Sequence, residues 1–114
     1  MTEALGFTPA EFEEKKYTDY FPHLQQAYKQ AFQEVNETYD SDLVHAIDQT
    51  VFSESEPVYE GDGEFRIDLP EDPLARIASA GVIAGDDRAQ AVLDAYVEAL
   101  EASLRETLAD ADTT

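Results

Sequence analysis

The chain contains no cysteine. That one absence excludes disulfides, thiolate zinc sites, iron–sulfur clusters and cysteine nucleophiles. Its apolar runs are only a few residues long, so no helix is expected to span a membrane. The amino-terminal MTEALGFTPAEFEEKK lacks a basic start followed by an apolar stretch, so no secretory signal is expected and a cytoplasmic location follows. Neither GxxxxGK[ST] nor GxGxxG occurs, which leaves phosphate binding without a glycine-rich loop. No Gly-x-Ser-x-Gly elbow marks a serine nucleophile. Basic residues are scarce, at 7 Lys+Arg, and only Lys15 and Lys16 are adjacent. Phosphate backbones must be met by clustered Lys and Arg, so direct nucleic-acid binding is not expected.

What the chain has in excess is acid. Its 114 residues carry 26 Asp+Glu and a net charge of −19, where a small domain ordinarily carries a magnitude of about 2–8. Residues 1–40, 41–80 and 81–114 are each net negative, by −5, −8 and −6. An acidic tail would concentrate its charge in a block; this is an even coat. Like charges repel in the compact state, and salt hides them, because the Debye length falls from about 10 Å at 0.1 M to about 3 Å at 1 M. The coat therefore points to a salt-rich surrounding. The rival explanation is that the charge is itself the function, as in a mimic of the DNA backbone that binds a basic protein. Hydrophobic residues make up 43% of the chain, enough for a folded core in a single domain over 1–114.

The pattern predicts about five helices and one hairpin. Thr8-Pro9-Ala10-Glu11 is a capping box with Pro at the first helical position, opening a helix over 9–17 that carries Phe12. Leu24, Ala27, Tyr28, Ala31, Phe32, Val35 and Tyr39 follow helical spacing over 22–39. Asp40-Ser41 breaks that helix and caps another over 42–52, with Leu43, Val44, Ile47 and Val51 as its stripe. Residues 57–69 switch to period two, and Gly61-Asp62-Gly63 supplies a tight turn. A two-residue loop puts Val58 on the face of Phe65 and Ile67, and Tyr59 outside with Arg66. A short helix follows Asp72-Pro73 and ends at Gly81. Val82-Ile83 reads as a buried connection. Asp86 or Asp87 then caps the longest helix, reaching Leu108. The ends, about 1–6 and 109–114, are expected to fray. A lone hairpin is marginal in water, so helices must cover it, with the second and last as candidates. The fold class is α+β, mostly helical, with a small antiparallel sheet packed on helices.

Three stretches resemble sites. GDGEFRIDLPEDP (61–73) gathers five acids around a turn. Asp62, Glu64 and Asp68 are its metal-ligand candidates, but the EF-hand spacing is missing. Its acids read better as a turn, a solvated edge and the start of a helix than as a metal loop. His23 and His45 are the only histidines. Asp42 and Asp48 flank His45, Asp19 precedes His23, and neither belongs to HExxH. KKYTDYFPHLQQAYK (15–29) holds all three lysines and four aromatics. Lys15, Lys16, Tyr17, Tyr20 and Lys29 form a candidate contact surface there. The plainer reading makes the aromatics core anchors and the lysines partners of nearby acids. The leucines of the last helix are a second candidate surface, for a second copy of the chain.

GFTPAEFEEKKYTDYFPHLQ and EFRIDLPEDPLARIASAGV resemble a family of small, acidic, uncharacterised proteins of halophilic archaea. The likeness runs from Gly6 to Leu108. It implies a cytoplasmic haloarchaeal protein and carries over no catalytic residue. No cofactor is expected. The leading expectation is thus a salt-adapted, soluble, non-enzymatic domain acting through protein–protein contact or homodimerisation. The alternatives are a small enzyme or divalent-metal protein using His23 or His45 with nearby carboxylates, and an acidic nucleic-acid mimic.

Overall fold

The computed structural model describes residues 7–81 and 85–112. Five α-helices and one hairpin follow one another: α1 (Pro9–Lys15), α2 (Phe21–Thr38), α3 (Ser41–Thr50), a 3-10 turn (Phe52–Glu54), β1 (Glu56–Gly61), β2 (Glu64–Asp68), α4 (Pro73–Ser79) and α5 (Asp86–Asp112). The α+β class expected from the pattern is the class observed. The 27 residues of α5 span about 40 Å at 1.5 Å per residue, close to the 44 Å long axis of the molecule. α5 packs along α2, α3 packs against both, and α4 packs against α3 and α5.

Local chemistry sets the helix starts. The Thr8 hydroxyl accepts from the Glu11 amide at 3.1 Å, and the Glu11 carboxylate accepts from the Thr8 amide at 3.1 Å. This reciprocal cap satisfies two donors that the first turn leaves free. Val51 ends α3, and Phe52–Glu54 tighten into a 3-10 turn where the sequence pattern carried the helix to residue 52. α5 begins at Asp86 with Asp86 and Asp87 in its first turn, so both favour the helix dipole and neither is the cap. Its backbone stays helical to Asp112, beyond the expected end at Leu108. The expected connection at Val82-Ile83 and the expected fraying of residues 1–6 lie outside the described residues.

The hairpin departs from the expected facing. Asp62 and Gly63 take positive φ, 54° and 78°, as a tight two-residue turn requires. The ladder pairs Gly61 with Glu64, but Tyr59 with Phe65 and Pro57 with Ile67. Glu60 is an extra residue on β1. A bulge of one residue moves everything beyond it to the opposite face. Tyr59 is therefore buried beside Phe65 and Ile67, and Val58 sits opposite Arg66 on the outer face. The Tyr59 hydroxyl accepts from the Gly63 amide at 3.0 Å, tying the inward ring to the turn.

The hairpin is covered by α5 and by the short α1, which takes the place expected of α2. The reason is aromatic mass. Phe12 of α1 is fully buried and meets Phe65 edge-on at 5.5 Å. Phe7 packs on Tyr59 at 5.0 Å and on Tyr20 at 4.9 Å. Each such ring brings a large apolar area. A second cluster lies between α2, α3 and α5, where Phe52 stacks on Tyr96 at 4.0 Å. The Tyr96 hydroxyl donates to Asp48 Oδ1 at 3.0 Å, which provides for the polar end of a buried phenol.

Candidate functional site

The stretch 15–29 forms the corner between α1 and α2. Thr18 and Tyr20 amides both donate to the Lys15 carbonyl, at 3.0 and 3.1 Å, and turn the chain sharply. Lys16 lies four residues after Phe12, on the inward face of α1. It is 2% exposed, so it is not part of an open contact surface. Its ammonium donates to Glu13 Oε2 at 2.9 Å and to the Pro57 carbonyl at 3.1 Å, and lies 3.6 Å from Glu56 Oε2. Lys16 is thus a clamp between α1 and the start of β1. Tyr20 also turns inward, towards the rings of Phe7 and Phe12. Lys15 is half-buried in the last turn of α1, and Lys29 is exposed on α2.

Turning Lys16 and Tyr20 inward leaves their neighbours outside. Tyr17 is 53% exposed and Phe21 41%, with ring centroids 6.3 Å apart. They wall a recess of about 190 Å³ whose other lining residues are Leu24, Gln25, Tyr28, Ser55 and Pro57. The polar atoms at its floor are satisfied. Ser55 has one hydroxyl hydrogen and donates it to the Phe52 carbonyl at 2.9 Å. The Tyr28 hydroxyl, 3.1 Å from Ser55 Oγ, is therefore the donor of that pair. Burial pushes the Tyr28 phenol up to about 12, so it stays neutral. Burial, reinforced by Glu56, also raises the Tyr17 phenol. The recess offers apolar surface and no titrating group near neutral pH. It is smaller than the roughly 300–1,000 Å³ of ordinary ligand and cofactor pockets.

The sequence singled out Tyr17, put Tyr28 in the apolar stripe of the second helix, and counted Phe21 among the aromatics of the stretch without naming it in the contact surface. A signal was present. Phe21, Tyr28 and Phe32 fall at i, i+7 and i+11, along one flank of the aliphatic stripe Leu24, Ala27, Ala31 and Val35. Nothing local brings Ser55 and Pro57 to that flank.

The hairpin acids are distributed rather than convergent. Asp62 sits at the turn tip. Glu64 lies 3.9 Å from Arg105 of α5. Asp68 is held by Arg66 Nε at 2.9 Å, and the same guanidinium reaches Glu60 at 2.8 Å. Among the described residues, no three His, Asp or Glu side chains are placed to hold a metal ion. His45 borders an open hollow with Asp40, Asp42, Gln49 and Gly81. Its Nδ1 meets the Ser41 carbonyl at 2.9 Å, and its ring meets Phe32 edge-on at 5.0 Å. Asp48 bonds Tyr96 instead. Among the described residues, neither histidine comes within ion-pair distance of a carboxylate. The leucines of the last helix are covered within one chain: Leu93, Leu100, Leu104 and Leu108 are all buried. Among the described residues, no helix is long and apolar enough to cross a membrane.

Residues 1–110 match the model of a family of unknown function, DUF5783, and the chain belongs to that family. No curated protein and no solved structure matches it.

Proposed function

We propose that this member of the DUF5783 family is a non-catalytic interaction domain, adapted to a salt-rich cytoplasm, that engages another protein through the recess between Tyr17, Phe21 and Pro57. The observation that carries the reading is the pairing of two large exposed rings over an apolar recess, on a chain whose net charge is −19. Aromatic side chains are the residues most enriched at protein interfaces. They stand in the stretch that also holds the three lysines of an otherwise strongly acidic chain.

The acid coat supports the salt half of the reading. Exposed carboxylates stand on α1, α2, α3, the 3-10 turn, both strands and α5, and in the loop before α4. A phosphate mimic needs them aligned on one face; here they surround the molecule. Their mutual repulsion is the kind that molar salt screens.

Selection of random displayed peptides tests the reading, using the wild-type domain and a Tyr17→Ser/Phe21→Ser variant in matched KCl. The expected outcome is peptides sharing an apolar residue that lose binding to the variant. Peptides held equally by both proteins, or none at all, would count against it.

A further inference from the structure

The recess also constrains what enters it. Its volume of about 190 Å³ is close to that of an apolar cavity of about 150 Å³ known to hold one benzene. It fits a single ring or branched aliphatic group, with nothing polar left to satisfy. The occupant is an anchor of side-chain size.

The adjoining strand restricts how the anchor is delivered. A peptide can bind by adding a strand to a free edge, but that edge must offer amides and carbonyls. Pro57 has no amide hydrogen, and its carbonyl already accepts from Lys16 at 3.1 Å. Recognition at Pro57 therefore falls to side chains.

The charge at the rim gives the partner its sign. Glu56 stands between two lining residues, Ser55 and Pro57, and its side chain is exposed. Glu13 is the other carboxylate on Lys16, at 2.9 Å. Two carboxylates share one ammonium, which leaves this three-residue cluster one charge negative beside the open ring of Tyr17, while Lys29 stands further along α2. The Lys16 ammonium lies 5.4 Å from the centroid of that ring, a range at which cations are attracted to aromatic faces. An incoming guanidinium would meet an aromatic ring and the Glu56 carboxylate together. A second copy of this chain is the poorer occupant. Docking by the same patch would set Glu13 and Glu56 against their own counterparts, and like charges facing one another oppose association.

Resting on the interaction reading above, we infer that the recess binds a short basic–apolar segment of a partner protein: one Phe- or Leu-sized anchor in the recess, with a flanking Arg at Glu56 and Tyr17.

Three five-residue probes, each acetylated and amidated, test this by nuclear magnetic resonance: Gly-Arg-Phe-Arg-Gly, Gly-Glu-Phe-Glu-Gly and Gly-Arg-Ser-Arg-Gly. The titrations use the 114-residue chain at the lowest KCl that keeps it fully folded, since salt weakens the charge preference. The Arg-Phe-Arg probe is expected to shift the amides of Tyr17, Phe21, Leu24, Gln25, Tyr28, Ser55 and Glu56 saturably. It should bind more tightly than Glu-Phe-Glu, by about fivefold, the upper end of what an exposed charge pair supplies. Arg-Ser-Arg should not saturate. Glu56→Gln, at an exposed site, should narrow the gap between the two Phe probes and leave the spectrum folded. Equal binding of both Phe probes at the recess would overturn the charge assignment and leave the interaction domain standing. Saturable shifts with Arg-Ser-Arg would overturn the anchor. No shift at the recess with either Phe probe would remove both.

Discussion

Lys16→Met is the perturbation that best separates the forces at the α1–β1 corner. The substitution keeps the apolar stem and removes all three donors. Glu13 and Glu56 have side chains 52% and 56% exposed, so each pairing contributes about 0–1 kcal/mol and fades in salt. Both carboxylates recover water when the ammonium is lost. The Pro57 carbonyl does not, because its bond to Lys16 is buried. Leaving a buried acceptor unsatisfied costs about 1–3 kcal/mol. Relief of the desolvated ammonium offsets part of the total. The net expectation is a loss of about 2 kcal/mol, lowering a urea midpoint by about 1 M at an m-value near 2 kcal/mol/M. The buried carbonyl dominates, so the difference between variant and wild type should persist across KCl concentrations even as both proteins gain stability. A loss under about 0.5 kcal/mol, or one that vanishes in molar salt, would refute the reasoning by showing that exposed ion pairs carry the clamp.

Three further substitutions follow. Glu101 is raised above the ordinary carboxylate value, chiefly by burial and secondarily by Glu64, Glu98 and Glu60 against Arg105. The folded protein then binds the proton more readily than the unfolded chain, so stability rises as pH falls from neutrality through the raised value and levels off below the ordinary one. Glu101→Gln should stabilise by on the order of a few tenths of a kcal/mol at neutral pH, discounted for its partial exposure, with the gain shrinking on acidification; equal gains at every pH would contradict the burial argument. Tyr96→Phe removes the donor to Asp48 and should cost about 1.5–3 kcal/mol, the range for bonds to charged groups; a neutral result in thermal unfolding would show that Asp48 is solvated. Gly63→Ala forces a Cβ into φ of 78° and should cost about 1–2 kcal/mol; an unchanged midpoint would mean the turn relaxes.

The local elements were legible where one residue type has one physical use. The Thr8–Glu11 box, the Asp62-Gly63 turn and the stripe on α2 all formed as their chemistry dictates. The face of β1 was not legible. The bulge at Glu60 depends on the inward pull of Tyr59 towards Phe7 and Phe12, which no window of ten residues contains. Lys16 was misplaced for a different reason. Lysine is almost never fully buried unless paired, and its partner carbonyl lies 41 residues away. Its spacing from Phe12 carried the needed signal, and residue type overrode it. The recess was half legible: Tyr17, Phe21 and Tyr28 stand in one stretch, but Ser55 and Pro57 join them only through long-range contacts, the Lys16 clamp and the Tyr28–Ser55 bond among them.

The account rests on the acid coat belonging to the solvent and the Tyr17–Phe21 recess being a departure from it. Helical circular dichroism and light-scattering mass, followed together from about 0.1 M to several molar KCl, test this most directly, because screening becomes nearly complete over that range. The account predicts that helicity rises with KCl and that the mass stays at the 12.7 kDa of one chain. A chain fully folded at 0.1 M, with no further gain in salt, would contradict it and turn attention to a basic partner for the whole acidic surface.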